Sequence, residues 1–477
     1  MAEDNISQKA ACPFHPPKPK HRKHGLSFIR RLFLGRKMDM LGNYTEKAYS
    51  YLMGKNNMGL GSVYAINCLE STRKVLVDES DDFPKSEVMY RTLEPLVGRS
   101  VFSVNGEEWK AQRKRLAPAF AHLHVQRGFG GMMAAVDRML KEVKVAAEGD
   151  GLIDIDKVMS KVTADVIFRV MFSGSLDGPR GNAIYTNFQR YQQEQRYFSL
   201  RTLINWPRWM PILGHRQNKK AREAASSIRE ILFDIVTQRI ALPVADRPED
   251  MLTAILVEYS KDFKDDIPVV ELVDQIAFFF LAGHETTAAS TTWASYLLSQ
   301  SPEDENRLVR EVYDVTQKEP IEFKDLKKLR FVDAVFKESM RLYAPVPYFP
   351  RESTKPTQIR THNLKKGSQI TVNAYFIHRN TRWWDQPDHF IPSRFLEEGG
   401  CPENKLAFIP FSAGPRICPG ANFATVEATL ILASLFKEYS LTLEEDFAVE
   451  PFAQLTLKPK KGILMRVSKR DEPSSLE

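Results

Sequence analysis

Residues 411–420 read FSAGPRICPG, and they set Cys418 between Arg416 and a Pro-Gly pair, directly ahead of ANFATVEATLILASLFKEY, whose composition predicts a helix over 421–439. A thiol just before a helix N-terminus meets unpaired amide N–H groups and the positive end of the helix dipole, both of which favour the thiolate. Gly414 permits a sharp turn, so further backbone amides can face the sulfur. A thiolate held in this way is a weakened base and nucleophile but stays a strong ligand for a soft metal, which fits an axial iron ligand. Arg416, two residues away, is placed to pair with a carboxylate of the same cofactor. The competing roles are a packed thiol, a disulfide half, a zinc ligand or a nucleophile. Cys12, Cys68, Cys401 and Cys418 share no C-x-x-C spacing and lie far apart, which argues against a zinc ribbon and a secreted disulfide framework.

The wider composition is that of a globular chain of 477 residues, 43% hydrophobic and 27% charged, able to bury a sizeable core. Its net charge of +7 sits entirely in residues 1–38, where nine Lys and Arg face two acids. The rest is neutral, so a basic surface for nucleic acid would have to be that leader alone, and no nucleic-acid motif accompanies it. The leader reads as a flexible, solvated segment, and LSFIRRLFLGRK within it interleaves apolar and basic residues as a peripheral membrane contact would. The densest apolar run, IAFFFLAG at 276–283, is far short of the roughly 18 residues a membrane span needs. A soluble, cytoplasmic, monomeric protein is expected, with one domain over 39–477.

Helical periodicity dominates that domain, over 129–147, 219–242, 269–300, 302–317 and 421–439, with Ser301 as a hydroxyl cap ahead of Pro302. Strand-like alternation is confined to QITVNAYF at 369–376, QLTLKP and GILMRV. The expected class is mainly α with a minor β region. The helix over 269–300 is apolar nearly all round and should cross the interior. In its middle, AGHETT (282–287) combines Gly283, which costs about 1 kcal/mol in a helix, with Thr286, whose hydroxyl can bond back to the Ala282 carbonyl. One turn is loosened and a hydroxyl lies beside an acid, Glu285, where a small polar ligand could receive protons. Glu338 and Arg341 share a helix face. Arg394, in FIPSRF, is a candidate third member if that pair is buried.

Phe411, Gly414, Arg416, Cys418 and Gly420 together resemble the heme-binding signature F-x-x-G-x-R-x-C-x-G of the cytochrome P450 family. The other constellations resemble, in order, that family's W-x-x-x-R helix (Trp109, Arg113), the A-G-x-E-T-T of its oxygen-binding helix, its E-x-x-R and a relative of its P-E-R-F segment, with Ser393 in place of the usual Glu. The resemblance implies a P450 fold and non-covalent heme b, with Cys418 on the iron, Trp109, Arg113 and Arg416 at the propionates, and Phe411 and Ala282 against the porphyrin. Ala282 stands where some members carry a Glu that esterifies the heme. Glu285 and Thr286 would deliver protons to dioxygen, and Glu338, Arg341 and Arg394 would form a structural triad. YRTLEPLVGRSVFSVNGEEW resembles the branch that hydroxylates fatty acids near the terminal carbon.

The implied reaction inserts one atom of O2 into a C–H bond of a hydrophobic small-molecule substrate, by default a fatty acid, alkane or terpenoid. No flavin or iron–sulfur segment follows the C-terminal strands, so electrons are expected from a separate ferredoxin or flavodoxin with its NAD(P)H reductase, with Lys110 and Lys114 as a candidate landing site. Leu93, Leu96, Val97, Phe279, Ala282 and Val346 are the expected pocket. A non-oxygenating heme-thiolate enzyme (dehydratase or peroxygenase) would typically lack the acid–threonine pair, and a heme-binding sensor would need no apolar pocket.

Overall fold

The helix that carries AGHETT runs unbroken from Val269 to Ser299 and is buried over most of its length, with the other helices arranged around it. The computed structural model describes residues 14–21, 39–57, 62–195, 219–317, 319–396 and 402–470. Among these, the longer helices are α1 (Glu87–Val97), α2 (Gly106–Leu116), α3 (Phe129–Glu148), α4 (Ile155–Phe172), α5 (Pro179–Glu194), α6 (Lys219–Ala241), α7 (Met251–Phe263), α8 (Val269–Ser299), α9 (Pro302–Thr316), α10 (Arg330–Leu342) and α11 (Ala421–Glu438).

The all-round apolarity of α8 has a direct cause, because α4, α6, α10 and α11 pack on different sides of it. Its Trp293 is fully buried, stacks on Tyr343 with ring centroids 3.8 Å apart, and donates to the Leu457 carbonyl at 3.0 Å. Gly283 is explained by this packing. A Cβ there would lie 2.6 Å from Ile167 Cδ1, so glycine lets α8 close on α4 without breaking the helix. Ser301 does not cap α9 as the sequence suggests; its hydroxyl donates to Asp304 Oδ2 at 2.7 Å instead of accepting from the backbone.

The β region is small. β1 (Met53–Asn57), β2 (Ser62–Ile66), β4 (Phe349–Glu352) and β7 (Gln369–Val372) form a sheet in the order β1-β2-β7-β4, in which β2 and β7 are parallel with Val63 opposite Gln369. The alternation in QITVNAYF therefore holds only to Val372. Asn373 donates to the Asn67 side chain at 2.8 Å, and Ala374–Ile377 turn into a helical segment that buries Tyr375 and Phe376. β5 (Thr357–Ile359) pairs with β6 (His362–Leu364), β3 (Leu152–Asp154) and β8 (Tyr439–Leu443) flank β11 (Leu464–Lys469), and β9 (Pro451–Ala453) pairs with β10 (Leu457–Pro459). The turn between β9 and β10 carries Leu455 and Thr456 to the edge of the central cavity.

Part of the leader lies against this framework. Lys18 reaches Asp388 at 2.6 Å, and Tyr343 donates to the Pro17 carbonyl at 2.9 Å. LSFIRRLFLGRK lies outside the described residues. Among the described residues no helix is long and apolar enough to cross a membrane.

Candidate functional site

Cys418 sits at the end of a turn whose geometry explains its flanking residues. Ser412 and Gly414 take left-handed backbone angles (φ +67° and +72°), a 3-10 turn covers Gly414–Arg416, and the Cys418 N–H donates to the Phe411 carbonyl at 3.0 Å. A Cβ on Gly414 would meet the Leu76 carbonyl oxygen at 1.9 Å, so only glycine lets this loop dock on the turn at Lys74–Asp78. α11 begins at Ala421, three residues after the thiol.

The sulfur opens onto a cavity of about 290 Å³ that reaches α8. Cys418 is accessible from the cavity, yet protein encloses it on its other sides. Burial therefore pushes the thiol up, and the Gly420 N–H and the charges of Arg113 and Lys85 pull against it with smaller effect. For the free thiol, desolvation outweighs the one amide and the two cations. A bound cation reverses that balance, since a coordinated thiol is deprotonated outright.

One wall of the cavity is strongly positive. Lys85, Arg113, Arg351 and Arg416 all line it, together with Trp109. Arg416 packs 4.2 Å from the Trp109 ring centroid and donates to Asn105 Oδ1 at 2.8 Å; Arg113 donates to the Ile417 carbonyl at 3.0 Å. Lys85 forms an isolated β-bridge with Arg351 and donates to the Phe102 carbonyl at 3.1 Å. Burial, followed by the charges of Arg351 and Arg416, holds the Lys85 ammonium well below its ordinary value, and burial lowers Arg113 too. Cations gathered at the edge of a cavity are costly until an anion joins them. The two propionates of a heme fit this requirement, and the thiol on the same cavity fits its iron.

α8 also borders the cavity. Thr286 donates to the Ala282 carbonyl at 2.7 Å, the back-bond its spacing suggested. Glu285 is engaged elsewhere: its Oε1 accepts from Thr456 at 2.8 Å and lies 3.7 Å from Lys458 Nζ, while its Oε2 is buried without a hydrogen-bond partner. Phe411, Ala282, Leu93, Phe279 and Val346 border the cavity as expected. Leu96 and Val97 do not; the periodicity of α1 turns them into the core, where both are fully buried. Lys85, Arg351, Thr456 and Lys458 carried no motif and were missed by sequence reasoning.

Glu338, Arg341 and Arg394 are buried together. Glu338 receives Arg341 at 2.6 and 2.8 Å and Arg394 at 3.4 Å, and it also accepts the Ile391 N–H at 2.9 Å. Lys110 pairs with Glu107 at 2.8 Å on the exposed face of α2, and Lys114 is exposed on the same helix.

A sequence model of the family described as "Cytochrome P450" matches residues 24–466. The chain belongs to the cytochrome P450 family. It is similar to a cytokinin hydroxylase of Arabidopsis thaliana, 29% identical over 83% of this chain and 78% of that protein. It is also similar to cytochrome P450 4V2 of Rattus norvegicus, at 25% over 84% and 79% of the two chains, and to secologanin synthase 2 of Catharanthus roseus, at 27% over 88% and 81%. The P450 chain is thus a heme-thiolate monooxygenase, with non-covalent heme b and an axial cysteine.

Proposed function

We propose that this P450 hydroxylates a hydrophobic small molecule of the fatty acid, alkane or terpenoid class, with Cys418 as the iron ligand and electrons drawn from a separate ferredoxin or flavodoxin and its NAD(P)H reductase. The observation that carries the reading is one cavity bordered by a thiol, four cations and an acid–threonine pair, and otherwise walled by apolar side chains such as Phe279, Leu93 and Val346. When bound, the heme supplies activation of O2 and insertion of one oxygen atom into a C–H bond, the other leaving as water.

The chain's own residues divide the remaining work. Trp109, Arg113 and Arg416, joined by Lys85 and Arg351, hold and orient the propionates. Phe411 and Ala282 border the porphyrin. Glu285 and Thr286 hold protons at the cavity, and the apolar wall excludes water and binds the guest. Lys114, and Lys110 when released from Glu107, offer an acidic electron carrier a contact on α2. The domain over 39–477 acts in the cytoplasm as a monomer, with any membrane contact confined to the leader.

The test is spectral. The ferrous carbonyl complex of the purified protein should show the red-shifted band of thiolate ligation, and Cys418→Ala should abolish it. Hydrophobic compounds should shift the resting spectrum and be hydroxylated in an NAD(P)H-coupled assay. A Cys418→Ala variant with an unaltered visible spectrum would end the reading.

A further inference from the structure

Asp274 and Gln275, near the start of α8, hold the chain that joins α1 to α2. Asp274 is buried, and each of its oxygens has a separate partner. Oδ2 accepts the Arg99 N–H at 2.7 Å, and Oδ1 pairs with the Arg229 guanidinium of α6 at 2.6 Å. Arg229 also donates to the Leu96 carbonyl, in the last turn of α1, at 3.0 Å. Gln275 accepts the Val101 N–H at 2.8 Å. Two consecutive side chains of α8 thus take two amides of one loop, and a cation from another helix closes the group.

The approach is close enough to dictate the residue at the bend. Gly98 ends α1 with φ +45°, and a Cβ there would lie 2.1 Å from Asp274 Oδ1, so only glycine leaves room for the carboxylate. The Arg99 side chain takes no part; it is exposed and pairs with Glu108. The loop is gripped by its backbone, which fixes where the chain runs and hence where its neighbours stand. Those neighbours are cavity wall: Leu93 on α1, and Val101 and Phe102 on the connection, all border the cavity. Phe102 stacks in turn on Phe278, one turn beyond Asp274 on α8, with ring centroids 5.0 Å apart. The Arg229 side chain is 25% exposed, so the ion pair meets solvent through its guanidinium.

We infer that Asp274 is a positioning residue for the hydroxylation, which through the Arg99 amide and the Arg229 guanidinium pins the wall of Leu93, Val101 and Phe102 against α8. An apolar guest is held by shape alone, so a pinned wall keeps it in one pose, and a loosened wall lets it turn and admits water. The effect on product deepens the hydroxylase reading and rests on it, whereas the pinning does not.

The experiment uses the heme-loaded full chain in two stages. In the first, backbone hydrogen exchange is followed without substrate. Peptides covering 93–102 should exchange about fivefold faster or more in Asp274→Ala and in Arg229→Met, with the peptide around Cys418 and the visible spectrum unchanged. Arg229→Lys, which keeps the charge, should lie nearer the wild type, and in the double variant the two effects should not add. Arg229→Met and Arg229→Lys carry the comparison where Asp274→Ala does not load heme. In the second stage, release of 4-phenylimidazole, an apolar ring that ligates heme iron without turnover, should be about fivefold faster or more in Arg229→Met, and a hydroxylated substrate should give a broader mixture of product positions. Exchange at 93–102 that is indifferent to both substitutions, additive effects in the double variant, or faster exchange with unchanged probe release overturns the inference. Exchange and probe release need no turnover, so their failure is distinguishable from failure of the hydroxylase reading.

Discussion

Two clusters of cations, the Glu338–Arg341–Arg394 triad and the wall of the cavity, are built in different ways. In the triad, all five N–H donors of Arg341 are used: two groups on Glu338, and the carbonyls of His378, Pro387 and His389 at 2.7–2.9 Å. The wall formed by Lys85, Arg113, Arg351 and Arg416 instead concentrates cations beside a cavity, to the point that burial and like charge push Lys85 down. A buried charge network that closes on itself is architecture. One that gathers cations along a cavity which also opens on a thiol is built to meet an anionic ligand there.

That contrast can be broken by substitution, and the largest effect belongs to the closed cluster. Glu338→Ala leaves two buried guanidinium groups facing each other, so a loss of about 3–5 kcal/mol is expected, read as a collapse in thermal or denaturant stability with or without hemin. Survival of the fold with wild-type stability would remove the distinction drawn above.

Lys85→Met should have opposite signs in the two forms. The heme-free protein gains about 1 kcal/mol, because a penalised cation is gone, while the loaded protein releases hemin several-fold faster. The sign with pH follows from the lowered ammonium: the unfolded chain holds the proton more tightly, so wild-type heme-free stability rises with pH toward the ordinary lysine value of about 10.4, where the two proteins converge. Chemical denaturation across pH, paired with hemin transfer to an acceptor, measures both.

The effect that starts smallest, and grows with pH, is at a buried carboxyl. Glu427 on α11 is fully buried; burial pushes its carboxyl well above the usual range, opposed by the Thr287 hydroxyl. The folded state keeps the proton that the unfolded chain loses above about pH 4.3, so Glu427 destabilises increasingly as pH rises. Glu427→Gln should melt with the wild type near pH 4 and be more stable by about 1 kcal/mol at pH 5, the gap widening as pH rises further. A constant gap across pH would show that Glu427 is not the titrating group.

Legibility in the sequence followed distance along the chain. Cys418, Arg416 and Gly414 were readable because one turn brings them together, and Trp109 and Arg113, Glu285 and Thr286, or Glu338 and Arg341 because one helix face does. The helix limits came within a residue or two where the apolar period was long, as in α6 and α8. Lys85 and Arg351 were invisible, since only a single bridge between distant segments places them side by side. Thr456 and Lys458 reach Glu285 from a short hairpin with no pattern of its own. Leu96 and Val97 show the converse error, apolar residues near the right place but on the wrong side of a helix.

The parallel pairing of β2 with β7 has a consequence for how the protein is made. Residues 63–66 find their partners at 369–372, roughly 300 residues later, which at ribosomal rates is a delay of about 15–60 s. Lys85 and Trp109 emerge early, and Arg351, Arg416 and Cys418 emerge roughly 250–330 residues later, so the cavity wall and its thiol come together only after residue 418 has been made. Prosthetic-group capture through Cys418 must wait for that point, and nascent chains stalled before residue 418 should bind no hemin through a thiolate.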